Sequence, residues 1–271
     1  MTEQGVAVAP PRVRGGSGMG RDFFTGIGFL FRGLGMYARN PKMMFLGLIP
    51  AVIAGAVITG AVVAMVVFSG DLADVITPFD RGWSDGLRET VHVVAMVALI
   101  GVTALLAVFL YTALALLIGE PFYEKISYNI ERKLGGPIEE AKTSFVRMLG
   151  RSIRDSLRLL LFTVGAGLAL FVAGFIPVVG ETVVPAVGVL VGAWVLALEL
   201  TTVTFERRGI RFRERRRMLR QRRSMALGFG LATFVCFLIP LGAVLVMPAA
   251  VAGATLLSRR VLGLPDAAAA R

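Results

Sequence analysis

The sequence is poor in the residues from which most enzyme sites are built. It has one cysteine, Cys236, and one histidine, His92. A single thiol excludes an intrachain disulfide, and a lone thiol in an apolar run is most simply a small hydrophobe. One imidazole supplies neither a His/Cys metal cluster nor a Ser/His/Asp arrangement, so no metal, cofactor or catalytic group is expected. No GxxxxGK[ST] phosphate loop occurs, which argues against ATP hydrolysis by the chain itself. Lysine is also scarce: only Lys42, Lys125, Lys133 and Lys142 stand among 29 basic residues. Anion chemistry and an arginine-favouring base composition explain that bias equally well.

Charge is missing altogether from long stretches. Of 271 residues, 56% are hydrophobic and the mean hydropathy is +0.75. Several uncharged runs reach about 18 residues or more, the pattern of an all-α integral membrane protein. The net charge of +11 lies in short segments between these runs, where it sets membrane orientation and gives no reason to expect nucleic acid as a partner.

Residues 1–20, rich in Gly, Pro and Ala, read as a disordered cytoplasmic tail, and residues 264–271 as a second tail. Between them, residues 21–263 form one membrane domain. The stretch 21–40 mixes aromatics with Arg32 and Arg39, which suits an interfacial helix. Residues 43–68 carry no charge and predict a first transmembrane helix, kinked at Pro50. Residues 69–90, with Asp71, Asp74, Asp80, Asp85 and Glu89, read as the external loop, and 91–118 as the second transmembrane helix.

Residues 119–158 predict two cytoplasmic helices. On the first, Phe122, Ile126, Ile130 and Leu134 form one apolar stripe that stops at Gly135-Gly136-Pro137. The second is capped by Thr143 or Ser144 and places Arg147, Arg151, Arg154 and Arg158 on one face, either simply solvated or touching lipid headgroups.

Residues 159–200 and 225–258 are apolar but broken, and each predicts a helical hairpin. Both breaks place Ile-Pro before a Gly and a second Pro eight residues on, Pro177/Pro185 and Pro240/Pro248, which suggests a repeated unit. Backbone freed by proline is tolerated at membrane depth only inside protein or beside water. The legs of the second hairpin have about 15 residues each, or roughly 22 Å as helix, less than a full crossing. It is therefore expected to re-enter from the cytoplasm and turn within the membrane. The first hairpin has longer legs, and six full crossings is the alternative. Gly188 and Gly192 form a GxxxG that permits helix contact.

Between the hairpins, the cytoplasmic segment 201–224 holds ten arginines within 205–223. At about 2.5–3.5 kcal/mol for each arginine at mid-bilayer, it cannot cross. Phe205, Phe212 and Leu219 recur every seven residues, so a helix could lay them on the membrane. Arg207, Arg208 and Arg211 are then candidates for a basic vestibule that concentrates anions. Both termini are expected on the same, cytoplasmic side of a bacterial plasma membrane.

PFYEKISYNIERKLGG (121–136), FIPVVG (175–180), LELTTVTFERRGIRFRERR (198–216) and ALGFGLATFVCFLIPLGAVLVMPAAVAGATLL (226–257) occur in that order. With GIGFLFRGLG near the start, they resemble the CysZ sulfate permease family over about residues 25–264. The resemblance implies two long transmembrane helices, two hemi-penetrating hairpins, oligomers built from dimers, and sulfate passage into bacteria without ATP hydrolysis. It also implies an anion contact at Gly26-Ile27-Gly28-Phe29 with Arg32.

Chemically, sulfate stays a dianion near neutral pH, so it needs NH donors and cations. Glycines let backbone approach an anion, and a helix N-terminus offers free NH groups. The competing reading is that Gly26 and Gly28 only allow close helix packing. Glu199, near the inner end of an apolar leg, calls for an arginine partner, such as Arg207 or Arg208, as a structural ion pair or a coupling-proton site. The expected role is passive or gradient-driven passage of sulfate or a related oxyanion. The alternative is a non-transporting scaffold or regulator that binds anionic lipid or a protein partner.

Overall fold

The computed structural model describes residues 18–67, 85–135, 145–239 and 241–265, with side chains except at 65–67, 85–100, 102, 145–153, 155 and 156. The tail to residue 17, the acidic loop to residue 84, the turn at Gly136 and Pro137 with Thr143 and Ser144, Pro240 and residues 266–271 lie outside the described residues. So do the side chains of His92, Arg147 and Arg151.

The described residues are helical almost throughout: α1 Met19–Ala38, α2 Pro41–Val67, α3 Asp85–Lys133, α4 Phe145–Gly174, α5 Val184–Leu200, α6 Thr202–Arg207, α7 Phe212–Gln221, α8 Arg223–Leu238 and α9 Gly242–Val261. Within them, five helical stretches are long and apolar enough to cross a membrane: Pro41–Ala64, Thr103–Lys133, Leu157–Gly174, Val179–Arg207 and Gly242–Val261. This is a multi-pass membrane protein.

The expected division at 118/119 leaves no break in the chain. α3 runs on to Lys133 with Pro121 inside it, and Ile126 and Ile130 of the predicted stripe are fully buried.

The burial pattern inverts what hydropathy suggests. In α4, no residue of the apolar window is buried, whereas every residue of α9 from Pro248 to Arg259 is. The more apolar windows leave most of their residues unburied, whereas the less apolar α9 is enclosed at the centre. Its Ala249, Ala250, Ala252, Gly253 and Ala254 carry little side chain, which lets neighbouring backbones approach closely.

α1 lies across α8 and α9 and meets them through glycines. A Cβ on Gly26 would strike the Met225 carbonyl, and one on Gly228 the Phe23 carbonyl. A Cβ on Gly33 would fall on the Ala249 carbonyl and 2.5 Å from the Gly253 nitrogen. Phe29 fills the space between, fully buried, and Arg222 reaches Asp22 at 3.6 Å to fasten the start of α1. The α2 helix docks by seating the Pro248 ring against Gly47. In the predicted GxxxG, Gly192 accepts the Phe234 ring of α8 and Gly188 faces Leu170 of α4.

The two hairpins turn at corresponding prolines but with different local geometry: the Val179 N–H donates to the Pro177 carbonyl at 2.8 Å in the first, and the Gly242 N–H to the Ile239 carbonyl at 2.8 Å in the second. Val178 follows Pro177 with φ 69°, and Leu241 follows Pro240 with φ 62°. A positive φ is uncommon for a side-chain-bearing residue; the hairpins share it directly after the proline but differ in ψ, −48° at Val178 and −4° at Leu241. Ile239, before the second proline, is extended at ψ 130°, as the clash with a following proline ring requires. Beyond the first turn, a π-helical segment Val179–Val183 leads into α5.

Phe205, Phe212 and Leu219 do share a buried state, but not on one membrane-lying helix. Gly209 at φ 67° separates α6 from α7, and Phe205 and Leu219 are fully enclosed by protein.

Glycine contact rather than glycine flexibility therefore holds α1. Gly33→Ala should destabilise the protein by about 1–3 kcal/mol through overpacking. Gly35→Ala, where a Cβ meets nothing within 4 Å, should be neutral or stabilise by up to about 1 kcal/mol. Thermal unfolding of the two variants in detergent checks the contrast.

Candidate functional site

The ends of α3, α6 and α9 meet at one charged cluster. Glu131, fully buried near the end of α3, receives both forks of Arg208, at 2.9 and 2.7 Å. Arg259, nearly as buried, donates to the same carboxylate at 2.8 Å. Each guanidinium also serves backbone. Arg259 donates to the carbonyls of Leu134 at 2.9 Å and Pro265 at 2.8 Å, and Arg208 to that of Thr204 at 2.9 Å. These carbonyls lie at or beyond helix C-termini, where orphan acceptors and the helix dipole both favour cations. Nearby, the Thr255 hydroxyl bonds Ser127 at 3.0 Å, a second polar tie between α9 and α3.

The three expected vestibule arginines thus have separate tasks. Arg208 is held by Glu131. Arg207 donates to the Glu124 carbonyl at 2.6 Å and stands 5.4 Å from the Tyr128 ring centre. Arg211 is exposed just before α7. The structure instead gathers Arg158 of α4 with Arg213, Arg216, Arg217 and Arg220 of α7 around a cavity of about 700 Å³.

Gly26 and Gly28 lie inside α1, where backbone NH groups belong to the helix ladder. Two residues apart, they face opposite ways: Gly26 onto α8, and Gly28 into open space. Gly28 shares its outward face with Arg32, four residues on, which is exposed with its guanidinium 5.7 Å from the Phe29 ring centre.

Glu199 opens onto an apolar groove of about 560 Å³ between α4, α5 and α8. The charge of Arg215, an arginine of α7 buried beside the Phe212 ring, acts on it, and so does that of Glu120. Among the described residues, no salt bridge reaches Glu199.

Sequence reading missed Glu131 and Arg259. Ser127 and Glu131 stand one residue past Ile126 and Ile130, so they continue the buried stripe; that adjacency was the available signal. Among the described residues, no group of three or more His, Cys, Asp or Glu could hold a metal.

Similarity to known proteins extends over most of the chain. The family described as sulfate transporter CysZ/etoposide-induced protein 2.4 matches residues 29–248. A sulfate transporter CysZ of Vibrio cholerae serotype O1 (strain ATCC 39541) is 32% identical over 149 residues, 54% of this chain and 60% of that protein. The Vibrio parahaemolyticus serotype O3:K6 sulfate transporter CysZ is 28% identical over 237 residues, 85% of this chain and 92% of its own. That of Pseudomonas fluorescens Pf-5 is 32% identical over 161 residues, 58% and 64%. The chain thus spans 60% of the first of these relatives.

Removing Glu131 strands two cations at the base of the bundle. Glu131→Gln should cost about 3–5 kcal/mol. Replacing Glu131, Arg208 and Arg259 together by Leu, Met and Met should cost less than that single change, because no buried charge is left uncompensated. Unfolding in detergent measures both; a triple variant weaker than the single one would contradict the account.

Proposed function

The chain belongs to the sulfate transporter CysZ/etoposide-induced protein 2.4 family, and on that premise we propose that it passes sulfate, or a closely related oxyanion, across the bacterial inner membrane. Passage is passive or gradient-driven and involves neither ATP hydrolysis nor catalysis. One observation carries this reading: similarity to a protein named a sulfate transporter runs through 85% of the chain. The chemistry agrees with it. A multi-pass helical body bearing arginines and lacking a phosphate loop has what an anion path needs: cations and donors that bind weakly enough to release.

The proposed anion contact is the outward face of α1, with Arg32 as the cation, Gly28 as its open backbone neighbour and Gly26 as the residue that seats the helix. Arg211 remains the vestibule candidate with an exposed side chain, while Arg207 and Arg208 position the inner end. Glu199 serves as a partly compensated carboxyl beside Arg215.

The positive ends of α7 and α9 and both termini face the cytoplasm. The legs of the second hairpin are unequal rather than about 15 residues each: at about 1.5 Å per residue, α9 with its 20 residues matches the roughly 30 Å hydrocarbon core, while α8 with its 16 falls short of it, and that short leg is what supports a turn inside the membrane. The unpartnered apolar face of α4 suits a dimer-based homo-oligomer as well as lipid.

Radiolabelled sulfate uptake into proteoliposomes tests the proposal. Uptake well above that of empty vesicles is expected, falling about tenfold or more in Arg32→Ala. No uptake above empty vesicles would overturn it.

A further inference from the structure

The arginine cavity and the apolar groove are not separate features. Leu159 lines both, and Leu198 and Glu199, adjacent in α5, face the cavity and the groove respectively. We propose that together they bind one anionic phospholipid, its phosphate headgroup among the arginines and one acyl chain in the groove.

The depth is right for a lipid. Arg158 is the second residue of the apolar stretch Leu157–Gly174, and Leu198 is two residues before the end of α5, so the cavity sits where hydrocarbon gives way to headgroups. From there the groove runs inward along α5 to Val195 and Gly192, and along α8 to Phe234 and Leu238. Gly192 lies eight residues from the end of α5, or about 12 Å as helix, room for much of an acyl chain.

The lining divides in the same way. Around the cavity, Arg158, Arg213, Arg216, Arg217 and Arg220 stand on a floor that includes Phe162 and Phe212, with the Arg216 guanidinium 5.3 Å from the Phe162 ring centre. Along the groove, the polar side chains are Thr163 and Glu199. The Thr163 hydroxyl is satisfied by the Leu159 carbonyl at 2.9 Å.

A free oxyanion fits less well. Sulfate or phosphate would make no use of the groove, and five guanidinia would trap a dianion that a conducting site must release. A merely solvated basic face would need neither the aromatic floor nor the connection into hydrocarbon. Basic pockets between helices at the membrane surface are suited to anionic headgroups on charge alone. The lipid site is independent of which anion the protein carries.

The test uses the full-length protein in mild detergent and counts bound lipid by native mass spectrometry. Dioleoyl phosphatidylglycerol should bind at one site, at least tenfold more tightly than dioleoyl phosphatidylcholine. Glycerophosphoglycerol, inorganic phosphate and sulfate, which lack the chains, should not compete at equal concentration. Arg213→Gln/Arg217→Gln/Arg220→Gln should weaken the lipid about a hundredfold. Arg39→Gln/Arg132→Gln/Arg223→Gln, three exposed arginines outside the cavity, should leave it unchanged. Equal binding of phosphatidylcholine, competition by the chainless anions, full retention in the cavity variant, or equal loss in the control variant would each overturn the proposal.

Discussion

A single buried carboxylate ties one end of the helix bundle together. Glu131 accepts from Arg208 and Arg259, which lie 77 and 128 residues away in the chain, and so fixes α3, α6 and α9 at one point. Two cations on one anion leave an excess positive charge. It is tolerable because the remaining donors reach carbonyls at helix C-termini, where the backbone itself carries partial negative charge. The cluster thus closes three helix ends and pairs three charges in one arrangement. Buried ion pairs contribute little net stability compared with apolar packing, but a broken one is costly.

From this base the fold is built by backbone proximity. In a membrane, burying apolar surface gives helices little reason to associate, and small residues that let them touch take over that role. α9 supplies alanines and a glycine, and α1 supplies Gly26 and Gly33, one against α8 and the other against α9. α1 is therefore a strap across the second hairpin, seated on it by glycine contacts. At the other end, Val178 and Leu241 hold left-handed backbone directly after a proline. The two turns share the proline and the positive φ but not the closing hydrogen bond, and α7 with its arginines lies between them in the chain.

Much of this was legible in the sequence. Uncharged runs gave the long helices, Pro-Gly breaks gave both hairpin turns, and the ordered motifs gave the family. Helix centrality was not legible, because hydropathy cannot tell a lipid-facing helix from a protein-facing one. α9 is the less apolar of the two, and what lets it take the centre is its run of small side chains, a signal of packing rather than of hydropathy. For the candidate site, the direction each residue faces was not legible. Gly26 and Gly28 look like a matched pair in sequence, yet the 3.6-residue period turns one inward and the other outward. Arg207, Arg208 and Arg211 look equivalent as neighbours in a basic run. Only the break at Gly209 and the placement of Glu131 send them to different tasks.

The second hairpin is pinned at its charged base by Glu131, and its proposed turn lies within the membrane. Single-cysteine accessibility tests that most directly, with Cys236→Ser as background and cysteines introduced at Leu241 and at Arg260. A membrane-impermeant maleimide should label position 260 only from the inner face and position 241 from neither face of intact membranes. Labelling of position 241 from outside would contradict the account.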